Sequence, residues 1–308
     1  MPEAHPAPAP LVTIIVLHWR GVERTTACLH SLATLEYPNY RVLLVDNGAL
    51  RHEMQQLRQS FPDLPVLQTH RNLGFAGGAN AALRQTLAGP SSYVLLLNND
   101  TLVPANLLTR LIAVMQQHPQ VGILTPKLRR ADDPQRLAGL GCRVTWYDVV
   151  PSGWNTLDPG DGEQLLYFDA VFGSAMLIAR EVLTQVGLFD ERFFFYYEDI
   201  DLCVRARQHG FTVACDPAVS VAHAVAASTR RAPGLRMFYM GRSRQYFFDK
   251  HGTGWQRGMY LLQEPFQIAR MVRARWLDAG APADAIGYLG GCLVGLVLRV
   301  RGAQKAKQ

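Results

Sequence analysis

The chain of 308 residues is poor in cysteine, low in charge, and free of several short signatures that mark large enzyme classes. Its five cysteines (Cys28, Cys142, Cys203, Cys215 and Cys292) are odd in number, scattered, and form no CxxC pair. That pattern excludes a disulfide framework and a cysteine zinc site, and it points to a reducing, cytoplasmic setting. No P-loop signature, G-x-S-x-G elbow or HExxH occurs, and GFAGGAN (Gly74 to Asn80) lacks the GxGxxG spacing. Dinucleotide-binding, P-loop, serine-elbow and zincin chemistry are thereby left without support. Met1 to Pro10 has neither a basic n-region nor an apolar h-region and reads as a disordered leader rather than a signal peptide. The longest apolar run, Ile286 to Leu298, contains four glycines and falls short of the ~20 residues of a membrane span.

Charged residues make up only 18% of the chain and hydrophobic ones 48%, the balance of a globular protein. Of the formal charge of +6, nearly all sits between Gln256 and Gln308, where eight Lys/Arg face three Asp/Glu. A basic tail meets solvent, an anionic membrane surface or nucleic acid. The absence of aromatic-basic interleaving argues against nucleic acid as a partner. Near the tail, Phe266, Ile268, Met271 and Val272 alternate with Arg270, Arg273 and Arg275, a pattern suited to an interfacial helix on the inner face of the cytoplasmic membrane. Gly287, Gly291 and Gly295 are spaced four apart, so one helix face can approach a neighbour closely. The plain alternative is a terminal helical hairpin packed on the domain.

The first 126 residues alternate strand and helix. Leu11 to Leu17, Arg41 to Val45, Leu64 to Thr69 and Tyr93 to Leu97 are short aliphatic runs of the kind buried in parallel sheets. Between and after them, Cys28/Leu32/Leu35, Met54/Leu57/Phe61, Ala76/Asn80/Leu83/Leu87 and Leu107/Leu108/Leu111/Ile112/Met115 repeat at helical spacing. The expectation is an α/β fold with a mainly parallel sheet, whose ligands bind beyond the carboxyl ends of the strands. Polar clusters fall at those ends: Asp46-Asn47-Gly48, His70-Arg71-Asn72 and Asn98-Asn99-Asp100.

Each cluster has a structural reading beside a chemical one. Asp46 either folds a turn or accepts a hydrogen bond from a nucleobase or ribose. Asn98-Asn99-Asp100 is either an Asx turn or a rigid set of oxygen ligands for Mg2+ or Mn2+ bridging to a diphosphate. Glu198-Asp199 and Asp201 open a helix pattern that Gly210 closes. Acids there complement the helix dipole, but the preceding Phe193-Phe194-Phe195-Tyr196-Tyr197 forms apolar walls that raise a carboxylate's proton affinity and suit a general base. Asp201 is the structural member of the three. His223 ends an extended stretch and, taken alone, is a structural histidine.

In order, VTIIVLHWRG, LLVDNGA, RNLGFAGGAN, YVLLLNNDT, FGSAMLIAR, VGLFDERFFFYYEDIDLCVRARQHG and VAH resemble family 2 glycosyltransferases of the GT-A fold. Likeness is greatest to the rhamnosyltransferase-like members that build bacterial surface polysaccharides. RSRQYFFDKHG (Arg242 to Gly252) resembles the family's tail. The resemblance implies a Rossmann-like catalytic domain over residues 11–225, with a nucleotide-sugar half (11–126) and an acceptor half (127–225), then a helical basic extension (226–308). It implies a nucleoside-diphosphate sugar donor, a divalent metal, and a glycan or lipid-linked glycan acceptor in cell-envelope synthesis. Asp46, with Arg71, Asn72 and Gly74, would read the nucleotide. Asn98-Asn99-Asp100 stands at the DxD position, with Asp100 the metal-binding acid. Asp199, of the pair Glu198-Asp199, would be the catalytic base, and His223 a second metal contact. Asn98 replaces a common aspartate and Arg20 a common asparagine. A sugar-phosphate nucleotidyltransferase and a catalytically degenerate assembly partner are the rival readings.

Overall fold

The computed structural model describes residues 8–224 and 234–305. Residues 1–7 of the expected leader and the expected domain boundary at residue 225 lie outside the described residues. Ala9 and Pro10, also counted with that leader, are held: their carbonyls accept hydrogen bonds from Asn39 Nδ2 and the Tyr37 hydroxyl, each at 2.7 Å.

The amino-terminal half builds β1 (Val12–His18), α1 (Val22–Leu32), β2 (Tyr40–Asp46), α2 (Arg51–Ser60), β3 (Val66–Gln68), α3 (Gly74–Leu87), β4 (Tyr93–Asn98), β5 (Thr101–Leu102) and α4 (Leu107–Gln117). Strands β4, β1, β2 and β3 lie side by side and parallel. Consecutive side chains of β1 and β4 are buried, because helices cover both faces, and this is why their sequences run aliphatic instead of alternating. The third strand is shorter than the run Leu64 to Thr69 suggests. It is the outermost strand of this sheet, and Pro65 before it has no N–H to lend to a ladder.

Beyond α4 come β6 (Val121–Arg130), β7 (Leu137–Gly139), β8 (Gly141–Val144), β9 (Val149–Ser152), β10 (Leu166–Phe168), β11 (Ala175–Ala179), α5 (Arg180–Gln185), α6 (Glu198–Gln208) and β12 (Thr212–His223). The sheet runs β10-β12-β6-β11-β4-β1-β2-β3, with β5 on β12 and β7 on β6. The expected mainly parallel centre is present, and antiparallel pairings enter beyond α4. β11 is antiparallel to both β4 and β6, while β6 and β12 are parallel. The reason is where β11 begins: the Ser174 carbonyl accepts from Asn98 N at 3.0 Å, so the strand starts at the carboxyl end of β4 and runs back along it.

The carboxy-terminal extension is α7 (Leu235–His251), α8 (Gly254–Arg273), a π-helical turn (Ala274–Asp278) and α9 (Pro282–Lys305). Phe247, Phe248 and Tyr260 join the main core, whereas Met237, Tyr288 and Cys292 form a second small one. Buried Arg244 of α7 meets Glu264 and Tyr260 of α8, which ties these helices together. Gly287, Gly291 and Gly295 of α9 face α7 and the residue that caps it. A Cβ on Gly287 would lie 2.1 Å from Gly234 O, and one on Gly291 1.9 Å from Phe238 O. Only hydrogen fits between those backbones. Among the described residues, α9 is the one helix long and apolar enough to cross a membrane, by length and composition only.

Gly291→Val is therefore expected to overpack the α7–α9 contact and destabilise the protein by about 1–3 kcal/mol. Thermal unfolding with limited proteolysis checks this: α9 should become the first segment cleaved, and unchanged Tm and protection would refute the close contact.

Candidate active site

The carboxyl ends of β1, β2 and β4 carry a connected polar layer. Asp46, at the end of β2, is buried; its Oδ1 accepts from Ala49 N at 2.9 Å and its Oδ2 from Gln68 Nε2 at 3.0 Å. One oxygen thus folds the turn, as the structural reading holds, and the carboxylate is oriented by both contacts. Asn47 Nδ2 donates to Gly74 O at 2.8 Å and its Oδ1 accepts from Leu73 N, which fixes the loop before α3. Asn72 Oδ1 accepts from Gly74 N at 2.8 Å, and Arg71 is exposed beside it. Gly48 has φ +70° and its absent Cβ would sit 2.4 Å from Asn72 N, so the two loops touch through backbone. Arg20 Nη1 donates to Gly48 O at 3.2 Å, closing the layer over β1.

The Asn98-Asn99-Asp100 triplet divides its work. Asn99 points inward: its Nδ2 donates to Arg20 O at 3.0 Å and to Thr25 Oγ1 at 2.8 Å, which couples the loop after β1 to the end of β4. Asn98 Nδ2 lies 3.5 Å from both Ser174 Oγ and His223 Nε2. Asp100 Oδ1 is buried, makes no hydrogen bond, and stands 3.3 Å from His223 Nε2. The pairing of β5 with the end of β12 brings the two together: His223 lies opposite Thr101. A buried carboxylate oxygen without a partner is costly, and an imidazole nitrogen and an amide at the same point make an oxygen/nitrogen donor set. Such a set fits a divalent cation that takes its remaining ligands from a diphosphate and water. Among the described residues no group of three or more His, Cys, Asp or Glu side chains could hold one unaided.

The backbone that leads into α6 is tightly constrained. Tyr196 and Tyr197, directly before Glu198, both have positive φ (66° and 70°), a conformation that costs a non-glycine residue about 1–3 kcal/mol. Packing on two sides imposes it. Phe75 N donates to Phe194 O at 2.9 Å, and a Cβ on Gly74 would lie 2.0 Å from that oxygen. From the other side α7 supplies Tyr239 stacked on Phe194, Tyr246 against Phe193, and Ser243 Oγ donating to Phe195 O at 3.0 Å. The resulting turn aims Asp199 at the loop before β11, where Gly173 N donates to its Oδ2 at 2.8 Å. Ile200 N donates to Oδ1 at 2.8 Å.

Three acids in four residues then acquire three different characters. Burial, with the charges of Asp199 and Asp201, pushes Glu198 far above the ordinary glutamate range, and its Oε2 has no partner. Burial also raises Asp199, opposed by the amides of Gly173 and Ile200. Burial would raise Asp201 as well, but His251, Arg205 and Lys250 hold it below the usual carboxylate range. Asp201 Oδ1 meets His251 Nε2 and Lys250 Nζ at 2.7 Å each, the structural role expected of it.

One carboxyl edge therefore gathers Asp46, Asn72 and Gly74, then Asn98, Asp100 and His223, and then Asp199 through Gly173-Ser174. Sequence reasoning missed the clamp from α7, Arg20 as a bridge, and the inward turn of Asn99. The tail RSRQYFFDKHG carried a signal for the first, because Ser243, Tyr246, Lys250 and His251 lie in it.

The family description "Glycosyltransferase like family 2" matches residues 8–243, so the chain belongs to that family and is a glycosyltransferase. The N-acetylglucosaminyl-diphospho-decaprenol L-rhamnosyltransferase of Mycobacterium tuberculosis is 29% identical over 272 residues, 80% of this chain and 86% of its own. Among solved structures, the mannosyltransferase PcManGT from Pyrobaculum calidifontis, in complex with GDP-Man and Mn2+, is similar with a TM-score of 0.56. The alignment covers 98% of this chain and 82% of that one at 17% identity. GalNAc-T7 with UDP, GalNAc and Mn2+ gives 0.59 over 85% of this chain and 55% of its own, at 13% identity. At these identities the likeness is one of fold, and it makes the α/β architecture GT-A-like.

A carboxyl whose pKa rises on folding favours the fold at low pH, and that contribution is lost as pH climbs through the ordinary glutamate range toward the folded value. Glu198→Gln is therefore expected to raise Tm near neutral pH by about 2–4 °C. The gain should shrink away as pH falls below about 4. A pH-independent gain, or a loss, in a Tm-versus-pH series would contradict the buried, proton-holding glutamate.

Proposed function

We propose that the chain transfers a sugar, with inversion, from a nucleoside-diphosphate sugar to a hydroxyl of a lipid-linked glycan. The product would serve cell-envelope polysaccharide assembly at the inner face of the cytoplasmic membrane. The observation that carries the reading is the pairing, at one sheet edge, of the orphan Asp100 carboxylate beside His223 with the Asp199 carboxylate held by Gly173. The first suits the leaving diphosphate and the second the incoming hydroxyl. The name of the mycobacterial relative supports rhamnose as the sugar and a polyprenyl-diphosphate glycan as acceptor. A deoxythymidine or uridine diphosphate is the corresponding donor class.

In this reading Asp46 orients the base, with Arg71 and the Asn72–Gly74 loop beside it, while Asn98, Asp100 and His223 face the diphosphate. Asp100 and His223 would hold a divalent cation, Mg2+ or Mn2+, which would supply neutralisation of the charge that gathers on the diphosphate. Asp199 accepts the acceptor hydroxyl proton as that oxygen bonds to the anomeric carbon. The bond from that carbon to the diphosphate breaks on the opposite face, through an oxocarbenium-like state. Glu198 is the member of the pair that burial and its acidic neighbours push furthest up, so the base role falls to Asp199, which has amide donors on both oxygens. Burial raises Asp199 too, and its two amide donors work against that rise.

Asp199→Asn should lower turnover by about 10²–10⁴-fold while donor affinity stays near that of the parent. Asp100→Ala should instead remove the Mn2+-dependent part of donor affinity. A panel of nucleotide sugars, read by thermal shift with and without Mn2+ and by transfer to a polyprenyl-diphosphate glycan, checks both. Near-normal turnover of the first variant or Mn2+-dependent binding by the second would reject the assignments.

A further inference from the structure

Helix α9 is built the wrong way round for a helix that ends on a soluble surface. Its glycines, with Tyr288 and Cys292, face α7, while Ile286, Leu289, Leu293 and Val297 project outward at helical spacing. Helix α8 repeats the pattern. Tyr260 and Glu264 are buried, and Trp255, Met259, Leu262 and Phe266 form an exposed stripe, with Leu262 67% and Phe266 77% accessible. Ile268 and Met271 of α8 pack toward the same small core as Tyr288 and Cys292, so the inner faces of both helices converge and their apolar outer faces are left without cover.

We propose that these outer faces of α8 and α9 seat the protein on an anionic lipid bilayer, lying on it rather than crossing it. The proposal takes from the proposed function only that the acceptor is carried on a lipid, and it is independent of the donor chemistry. Charge selects the occupant. Arg270 and Arg273 continue the α8 stripe at its exposed end, and Arg275 follows in the π-turn. Trp255 and Trp276, each about half exposed or more, bracket α8 where indole rings favour the headgroup level. A second copy of the chain would bring these arginines against their own kind; anionic headgroups neutralise them.

Packing decides between lying and crossing. The inner face of α9 is in backbone contact with α7 at Gly287 and Gly291, and Arg299 pairs with Asp249 of α7 at 2.8 Å. A spanning α9 would have to abandon those contacts or drag α7, with Arg242, Arg244 and Lys250, into hydrocarbon. Kept on α7, it offers only its outer stripe to the lipid.

The test is co-sedimentation of the full chain with phosphatidylcholine vesicles and with phosphatidylglycerol-containing vesicles. The expected result is binding to the second, reversed by salt. Leu262→Glu/Phe266→Glu should weaken it by at least about tenfold, and Arg270→Gln/Arg273→Gln by roughly tenfold or more. Both pairs are exposed, and circular dichroism and Tm should match the parent. Failure of the parent to sediment, or equal sedimentation of parent and variants, overturns the proposal. So does a lipid-free dimer, seen by analytical ultracentrifugation, that the glutamate pair abolishes, since a second copy would then cover this face. Transfer to a short water-soluble acceptor without vesicles should be the same in parent and variants. Loss of that reaction in the parent would count against the proposed chemistry, while the vesicle result still stands on its own.

Discussion

The acidic start of α6 depends on where five aromatic residues are held. Phe193 to Tyr197 lie between the first residues of α3 and one face of α7, and their backbone carbonyls are claimed from both sides: Phe194 O by Phe75 N, Phe195 O by Ser243 Oγ. Two consecutive tyrosines in the left-handed region do not persist without such over-determination. The aromatic packing that supplies it also sets the direction in which Asp199 leaves the helix, toward Gly173 and the end of β4. Strain in the turn and placement of the acid are consequences of a single docking event.

That event also sorts the charges. Asp201 lies one turn deeper and finds His251, Lys250 and Arg205, so it remains ionised and helps bind α7 to α6. Glu198 is enclosed, and burial with its acidic neighbours pushes its carboxyl far above the ordinary glutamate range. Asp199 is left between these extremes, with amide donors but no salt bridge. Neighbouring groups of one chemical kind thus have their proton affinities pushed in different directions and by different causes through their surroundings alone. The extension beyond the sheet reaches this group through α7, whose Lys250 and His251 pair with Asp201.

Much of the fold was legible because burial on two faces leaves a plain mark. The runs in β1, β2 and β4 and the stripes of α1 to α4 are direct records of a covered sheet, and Rossmann-like order follows from them. The antiparallel β11 was hidden: AMLIA reads the same in either direction, and only the hydrogen bond between Asn98 N and Ser174 O reveals its sense. The pairing of buried Lys127 with Asp158 and with the exposed Asp161 was equally silent, since the lysine is more than 30 residues from either partner. In the site, motif order brought forward Asp46, Asp100, Asp199 and His223. It could not tell that Asn99 faces inward to Thr25, because a triplet after a strand alternates sides in a way that the local turn decides. The spacing of Gly287, Gly291 and Gly295 announced a close contact but not its partner, which proved to be α7.

The central claim is that separate acids converge on one activated sugar at the carboxyl edge of the sheet. A crystal structure of the protein soaked with Mn2+ and a nucleoside diphosphate sugar tests it most directly. The account predicts anomalous density for manganese between Asp100 and His223, the diphosphate against it, and the Asp199 carboxylate facing the anomeric carbon from the opposite side. Manganese bound away from Asp100, or a sugar whose anomeric carbon is remote from Asp199, would contradict it.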